Sequence, residues 1–348
     1  MVPVVDLSRR GQRFARTFAK EAERIAASGS FLLGAELSAF ESEFAKWLGA
    51  RHCIGVSSGA SALQLSYAAA GIGPGDEVLV PGFTAVPTAS AVAAVGGTPR
   101  AIDVDPLTAC ITSASVELGR TPRTKAVVLV HLYGFPAELP DTDLLIIEDA
   151  AQAHGALHDA SRSSATAYSF YPTKNLGGIG DGGAVVTEDH EFAERVRTMR
   201  VHGMTAQYVH ETVSQNFRMS EIEAAWLRIA LPDLTGDIER RRAIVDHYRA
   251  AAPDLRWQAG HRDHAYHLAV FRSSDRTRAR AALEADGVAT AVHYPLAITE
   301  QPAYRALDHA SCPEAELWAR ECISVPCFPE MTDAEVSHVS TALARLRR

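Results

Sequence analysis

The sequence predicts an α/β fold in two parts. Residues 1–235 form a large unit built on a mainly parallel sheet covered by helices, and residues 236–348 form a smaller α+β unit. Three observations carry this expectation. Short apolar runs alternate with helix-like stretches through the first two thirds of the chain. Those runs are continuous rather than alternating, which marks strands buried on both faces by crossover helices. The character then changes after about Leu231, where Pro232, Asp233 and Gly236 interrupt the pattern. A chain of 348 residues with 47% hydrophobic content can bury a core of this size.

The elements follow in order. Cys53-Ile54-Gly55-Val56 reads as a strand and Ala60 to Ala70 as the helix after it. Glu77 to Val80 is a second strand, with a helix from Pro87 to Val95. Arg100 to Val104, Ala126 to Val130 and Leu144 to Ile147 continue the sheet, and Tyr168-Ser169-Phe170 and Ala184-Val185-Val186 add two more strands. In the second unit a charged helix covers Ile238 to Arg249. It is followed by a strand (Tyr266 to Phe271), a helix (Thr277 to Asp286), a strand (Val288 to His293) and helices near Glu314 to Cys322 and Asp333 to Leu346.

Bulk properties exclude some functions. The net charge is −8, so nothing favours nucleic acid or an anionic membrane surface, and neither is expected as a partner. No apolar run approaches the roughly 18 residues of a membrane span, and no secretory leader is legible at the start of the chain. The five cysteines form no metal-ligand spacing, so no metal site is expected, and they read as idle thiols of a cytoplasmic protein.

Four segments carry candidate chemistry. Ser57-Ser58-Gly59-Ala60-Ser61 joins a strand to a helix with small residues, which lets backbone N–H groups approach a phosphate; an ordinary tight turn would look the same. Ile147-Glu148-Asp149-Ala150-Ala151-Gln152 places two acids at the end of an apolar strand, where open α/β sheets build their sites. A carboxylate there can keep a cationic ring nitrogen protonated, or can simply cap a helix. In Ser169-Phe170-Tyr171-Pro172-Thr173-Lys174-Asn175-Leu176-Gly177 one lysine sits in a neutral, glycine-flanked stretch. An amine attacks an aldehyde only when deprotonated, which partial desolvation promotes. Finally, Asn216-Phe217-Arg218-Met219-Ser220-Glu221 ends in a residue suited to cap the next helix.

Taken in order, and joined by Gly71-Ile72-Gly73-Pro74-Gly75-Asp76-Glu77-Val78, His131-Leu132-Tyr133-Gly134, His293-Tyr294-Pro295 and Gln301-Pro302-Ala303-Tyr304, these segments run nearly end to end. The chain resembles the DegT/DnrJ/EryC1/StrS aminotransferases, sugar-nucleotide members of the fold-type I enzymes that use pyridoxal 5'-phosphate. The resemblance implies roles residue by residue. Lys174 would join the cofactor covalently and then carry the proton, and Asp149 would pair with the ring nitrogen. Gln152 would contact the ring hydroxyl, and Ser58, Gly59, Ala60 and Ser169 would hold the phosphate. Asn216 would reach the cofactor of a second subunit, which implies a homodimer with shared active sites. His293, Tyr294 and Arg218 would help bind substrate.

The implied reaction is transfer of an amine from L-glutamate to a keto-sugar carried on dTDP or UDP, as in deoxyaminosugar and antibiotic biosynthesis. An aminocyclitol-type ketone is the nearest alternative, and a non-catalytic ligand-binding protein of the same fold is the alternative from another class; glutamate-dependent amine transfer separates them. A dehydratase would carry histidine at position 174. Three departures from the family stand out. Ala85 replaces an aromatic residue that stacks on the ring, Ala60 replaces a threonine, and the segments Pro136 to Leu145 and His158 to Thr166 are short.

Overall fold

A computed structural model of the chain describes residues 1–156 and 162–346. Its main layer, among the described residues, is a seven-stranded sheet in the order β1-β7-β6-β5-β4-β2-β3. The strands are β1 (His52–Val56), β2 (Glu77–Pro81), β3 (Thr98–Ile102), β4 (Thr124–Val130), β5 (Leu145–Asp149), β6 (Ala165–Ser169) and β7 (Gly183–Thr187). The block from β3 to β6 is parallel, while β7 runs antiparallel to both β6 and β1. Val127, Val128 and Leu129 of β4 have no exposed surface. Each such side chain contributes about 1.5–3 kcal/mol of transfer free energy relative to exposure.

Helices α3 (Gly59–Ala69), α4 (Val86–Ala94) and α5 (Ser113–Gly119) connect strands of this sheet, and α6 (His190–Arg200) follows β7. Two helices precede them, α1 (Leu7–Ser28) and α2 (Ala35–Leu48), and α7 (Glu221–Ala230) packs against both. Gly29 and Gly49 close α1 and α2 in the left-handed conformation at φ 68° and 73°, where a side chain would be strained.

Helix α8 (Leu234–Ala251) runs without a break through the expected boundary at 235. Beyond it lies a three-stranded antiparallel sheet of β10 (Arg256–Trp257), β11 (Ala269–Arg272) and β12 (Cys322–Val325), with helices α9 (Arg276–Ala285), α10 (Pro313–Glu321) and α11 (Asp333–Arg345). Its core includes Phe271, Ile323 and Leu343, and the N-terminal Val2 packs into the same cluster. A hairpin, β8 (Met204–Ala206) with β9 (Val209–His210), projects ahead of α7.

Two expected strands differ. Val288 to His293 forms only isolated bridges, Val2 with Val288 and, at the outer edge of β12, Ala291 with Ser324. The strand expected from Tyr266 begins only at Ala269, because Tyr266 has φ 40° and His264 and Tyr266 are stacked instead. The shortened stretch Pro136 to Leu145 carries no helix before β5, while the other short stretch lies partly outside the described residues. All five cysteines are buried and free, and among the described residues no helix is long and apolar enough to cross a membrane.

Candidate active site

The strands of the parallel block all end on one side of the sheet, and the candidate residues gather there. Ser58 caps α3 by accepting from Ser61 N at 3.0 Å. That leaves the first N–H groups of the helix, at Gly59 and Ala60, without an intrahelical acceptor. Gly59 is in contact with Ser169: a Cβ at Gly59 would lie 2.6 Å from the Ser169 Cβ. Gly183 is equally pressed, since its Cβ would lie 2.3 Å from the Ser58 carbonyl carbon. Two glycines therefore let β7, α3 and the end of β6 close into a backbone-lined cradle suited to an anion.

Lys174 follows β6 on a turn in which its own N–H donates to Tyr171 O at 2.8 Å. The side chain is half-buried. Desolvation, the main cause, holds its amine down to about 8, while the Asp149 charge acts in the opposite direction. The cationic amine is also felt by three histidines: burial and then Lys174 lower His154 to about 3 and hold His267 and His293 below their ordinary value.

Asp149 ends β5 and is 5% exposed. One of its oxygens accepts from Ala151 N at 3.1 Å and the other from the Thr88 hydroxyl at 2.8 Å. Gln152 is held at both ends, its Oε1 accepting from Tyr133 N at 2.6 Å and its Nε2 donating to the Tyr294 hydroxyl at 3.1 Å. The second amide hydrogen of Gln152 is not used in these bonds. Burial, then Asp149, pushes the Tyr294 phenol up to about 12, so it is a hydrogen-bonding group rather than an acid at neutral pH. His293 Nδ1 pairs with Ser324 Oγ at 2.8 Å, and the Tyr133 hydroxyl donates to the His293 carbonyl.

Asn216 and Arg218 are placed differently. Asn216 is exposed, and its amide oxygen accepts from Arg218 Nε at 2.9 Å. The segment runs beside the cradle, because Ser57 N donates to Phe217 O and Arg218 bridges Val56. Ala60 is exposed at the start of α3, and Ala85, which caps α4 without a side-chain bond, presents no aromatic surface.

Several supports of the site were not singled out from sequence. Arg10 of α1 is 6% exposed and donates to the carbonyls of Pro172 and Lys174 at 3.2 and 2.9 Å. Trp226 of α7 donates to Gly177 O at 2.9 Å, and Glu223 accepts from Gly180 N at 2.9 Å. The lysine turn is thus strapped from two helices. A signal existed for Arg10, since it shares the buried stripe of α1 with Phe14 four residues on, and a charge in such a stripe needs a partner. Nothing comparable marked Thr88.

The arrangement fits pyridoxal phosphate: an anion cradle, an amine held partly deprotonated, and a carboxylate in reach of that amine's field. Among the described residues no group of three or more His, Cys, Asp or Glu could hold a metal.

Comparison with known proteins agrees with this geometry. The model of the DegT/DnrJ/EryC1/StrS aminotransferase family matches residues 12–344. The chain is 41% identical to dTDP-3-amino-3,4,6-trideoxy-alpha-D-glucose transaminase of Streptomyces venezuelae, with 98% of this chain and 95% of that protein covered. It is 37% identical to UDP-N-acetyl-3-dehydro-alpha-D-glucosamine 3-aminotransferase of Acidithiobacillus ferrooxidans, over 99% of this chain and 97% of that one. The solved structure of DesV from S. venezuelae superposes with a TM-score of 0.93 at 39% identity, covering 99% of this chain and 98% of that chain.

Proposed function

The chain belongs to the DegT/DnrJ/EryC1/StrS aminotransferase family, and from that membership we propose that it transfers an amino group from L-glutamate to a keto-sugar linked to dTDP or UDP. The observation that carries the proposal is Lys174, an amine lowered to about 8 by desolvation and set within the field of Asp149. The printed names of the relatives, which include a dTDP-sugar and a UDP-sugar aminotransferase, support the substrate class.

Bound pyridoxal phosphate supplies an electron-withdrawing ring that stabilises negative charge on the substrate carbon. The chain's own residues do the rest. Lys174 would hold the cofactor through its amine and would move the proton at the reacting carbon. Asp149 holds the proton on the ring nitrogen. The Gln152 amide hydrogen left over from Tyr294 orients the ring hydroxyl. Ser58, Gly59, Ala60 and Ser169 bind the phosphate, largely through backbone N–H groups at the start of α3. His293, Tyr294 and Arg218 bind substrate. Tyr294 is held in place through Gln152, and His293 through Ser324.

The reading includes a homodimer whose partner completes each site, with residues 1–235 carrying the cofactor site and 236–348 forming the smaller unit. Its support is the surface beside Asn216. Phe31, Leu32 and Leu33 are 54%, 46% and 45% exposed, and Tyr208 and Val213 of the projecting hairpin segment are 84% and 103% exposed. Leu32 bridges Ser220, four residues from Asn216, and large apolar side chains left this exposed favour association.

The test of function is an assay of the purified protein with L-glutamate and dTDP- or UDP-linked keto-sugars. Formation of 2-oxoglutarate with the matching amino-sugar nucleotide is expected. Cofactor uptake without amine transfer to any such ketone would refute the substrate assignment. The shared site is tested by mixing Lys174→Ala with Asn216→Ala. If both are inactive alone, mixed dimers recover activity because one site then carries both lesions and the other neither. No recovery after proven subunit exchange would refute sharing.

A further inference from the structure

Asp149 does not stand alone beneath the site. Its Oδ2 accepts from the Thr88 hydroxyl at 2.8 Å, and Thr88 Oγ1 lies 3.1 Å from Thr84 Oγ1. Both threonines are buried, at 0% and 2% exposed. A hydroxyl carries one hydrogen, and a carboxylate can only accept. The Thr88 hydrogen is therefore committed to Asp149, so the contact between the two threonines is donated by Thr84. The direction of the chain is fixed: Thr84 donates to Thr88, and Thr88 donates to Asp149. Each donation polarises the next.

The backbone holds the chain in place. Thr84 precedes α4 and Thr88 lies in its first turn, one helical turn apart, so both hydroxyls share one face. Tyr67 of α3 donates to the Thr88 carbonyl at 3.3 Å, which ties the two helices together at this point. The remaining Asp149 oxygen is held by Ala151 N. A carboxylate gripped at both oxygens cannot rotate about its last bond without losing one grip.

We propose that Thr88 is a positioning residue for the transamination, its hydroxyl ordered by Thr84 and holding the Asp149 carboxylate in the orientation that keeps the cofactor ring nitrogen protonated. The inference rests on the proposed function, because it needs a pyridine nitrogen opposite Asp149. Losing the Thr88 bond frees the side chain to swing away from the position facing the ring nitrogen, which weakens the charge opposite it. Thr88 does not touch the reacting atoms in this account and acts only through Asp149.

The experiment uses the holoenzyme and four variants: Thr88→Val, Thr88→Ser, Thr84→Val and the double valine. Each is loaded with pyridoxal phosphate labelled with ¹⁵N at the ring, and the nitrogen chemical shift is followed against pH. The glutamate half-reaction is timed in parallel. Thr88→Val should lower the half-reaction rate about ten- to hundred-fold, the scale of a lost bond to a charged group, with KM for glutamate within about two-fold. Its ring nitrogen should lose its proton about one to two pH units lower than in the parent. Thr88→Ser should restore both. Thr84→Val should show the same two changes at about three-fold in rate, and the double variant should be no worse than Thr88→Val alone.

A folded, cofactor-loaded Thr88→Val with the parent's nitrogen titration overturns the proposal. So does a Thr88→Ser variant as impaired as Thr88→Val. Should Thr88→Val not fold, Thr84→Val decides: a parent-like titration there overturns the ordered chain. A parent protein that takes up no pyridoxal phosphate overturns the proposed function itself, an outcome distinct from a loaded variant that behaves like the parent.

Discussion

Glu148 and Asp149 are neighbours on β5, yet they enter two different surroundings, because successive side chains of a strand face opposite sides of the sheet. Glu148 is fully buried among matched groups: one oxygen pairs with His131 Nε2 at 2.8 Å and the other accepts from Thr166 at 3.3 Å. His131 Nδ1 in turn accepts from Ala137 N at 3.0 Å. Asp149 is gripped by Thr88 and Ala151 but remains 5% exposed and within the field of the Lys174 amine. A buried acid whose partners lie within the fold braces it, while one that faces a cationic amine at a strand end is available for chemistry. The strand-end pair is a single motif with two jobs, divided by the pleat.

The comparison can be tested from its extremes. The largest effect belongs to Lys174. Lys174→Ala should abolish amine transfer while the thermal midpoint stays near the parent's, because a covalent catalyst is not replaced by binding alone. Borohydride reduction of the parent followed by peptide mapping should find the pyridoxyl group on Lys174, and a label on any other lysine defeats the site assignment. Asp149→Ala comes next, with a rate loss of about a thousand-fold or more and a modest change in stability. A variant within about three-fold of the parent, less than about 1 kcal/mol of barrier, would reduce Asp149 to a strand-end acid.

Glu148→Ala should reverse that pattern. The hydrogen bonds to His131 and Thr166 in a fully buried place are lost, so chemical denaturation should show about 3 kcal/mol of destabilisation. The rate per folded, cofactor-loaded molecule should stay within about three-fold. If Glu148→Ala loses activity and keeps stability, the two acids are not divided as described.

Glu223 offers a third, intermediate acid and a pH effect. One of its oxygens accepts from Gly180 N, while among the described residues Oε1 is buried without a hydrogen-bond partner. A Cβ at Gly178 would lie 1.5 Å from that oxygen and 2.9 Å from Phe170 O, so the glycine loop closes directly over it. Desolvation, first, pushes the carboxyl up from 4.5 to about 7, the Ile179 and Gly180 N–H groups oppose this, and Asp181 reinforces it. The folded state therefore keeps a proton that the unfolded chain has lost. Stability from this group is intact below about 4.5, falls as pH rises towards about 7, and is level above that. The full difference is at most about 3 kcal/mol. Glu223→Gln, which is neutral throughout, should match the parent at pH 5 and exceed its stability at pH 8. Parallel stability curves for the two proteins would refute a buried neutral acid at this position.

Much of the fold was legible before any coordinates. Val127, Val128 and Leu129, or Ile146 and Ile147, could only be strands buried on both faces, and the helices between them followed from spacing. The segments missed are those whose character depends on neighbours. Val288 to His293 has the composition of a strand but meets β12 only through the single bridge from Ala291 to Ser324. The short β10 and the exposed β8–β9 hairpin have no apolar pattern at all. Lys174 and Asp149 stood out as candidates from their own sequence surroundings, a glycine-flanked stretch and an apolar strand end, whereas Gln152 and Ser169 were singled out only by the family resemblance.

What the sequence determined by itself is therefore local: periodic burial, strand-end acids, a lysine in a glycine-flanked turn, and a serine, Ser220, that caps α7. The tertiary structure decided which of these meet. It joined Thr88 to Asp149 across 61 positions, strapped the Lys174 turn to Arg10 across 164, and linked Gln152 to Tyr294 across 142. It also sent Glu148 to one side of the sheet and Asp149 to the other. The physical reason is that propensity and capping act within a few residues of the chain. The amine's lowered affinity for protons and the orientation of a carboxylate are instead set by burial and hydrogen bonds, which arise only when distant segments pack together.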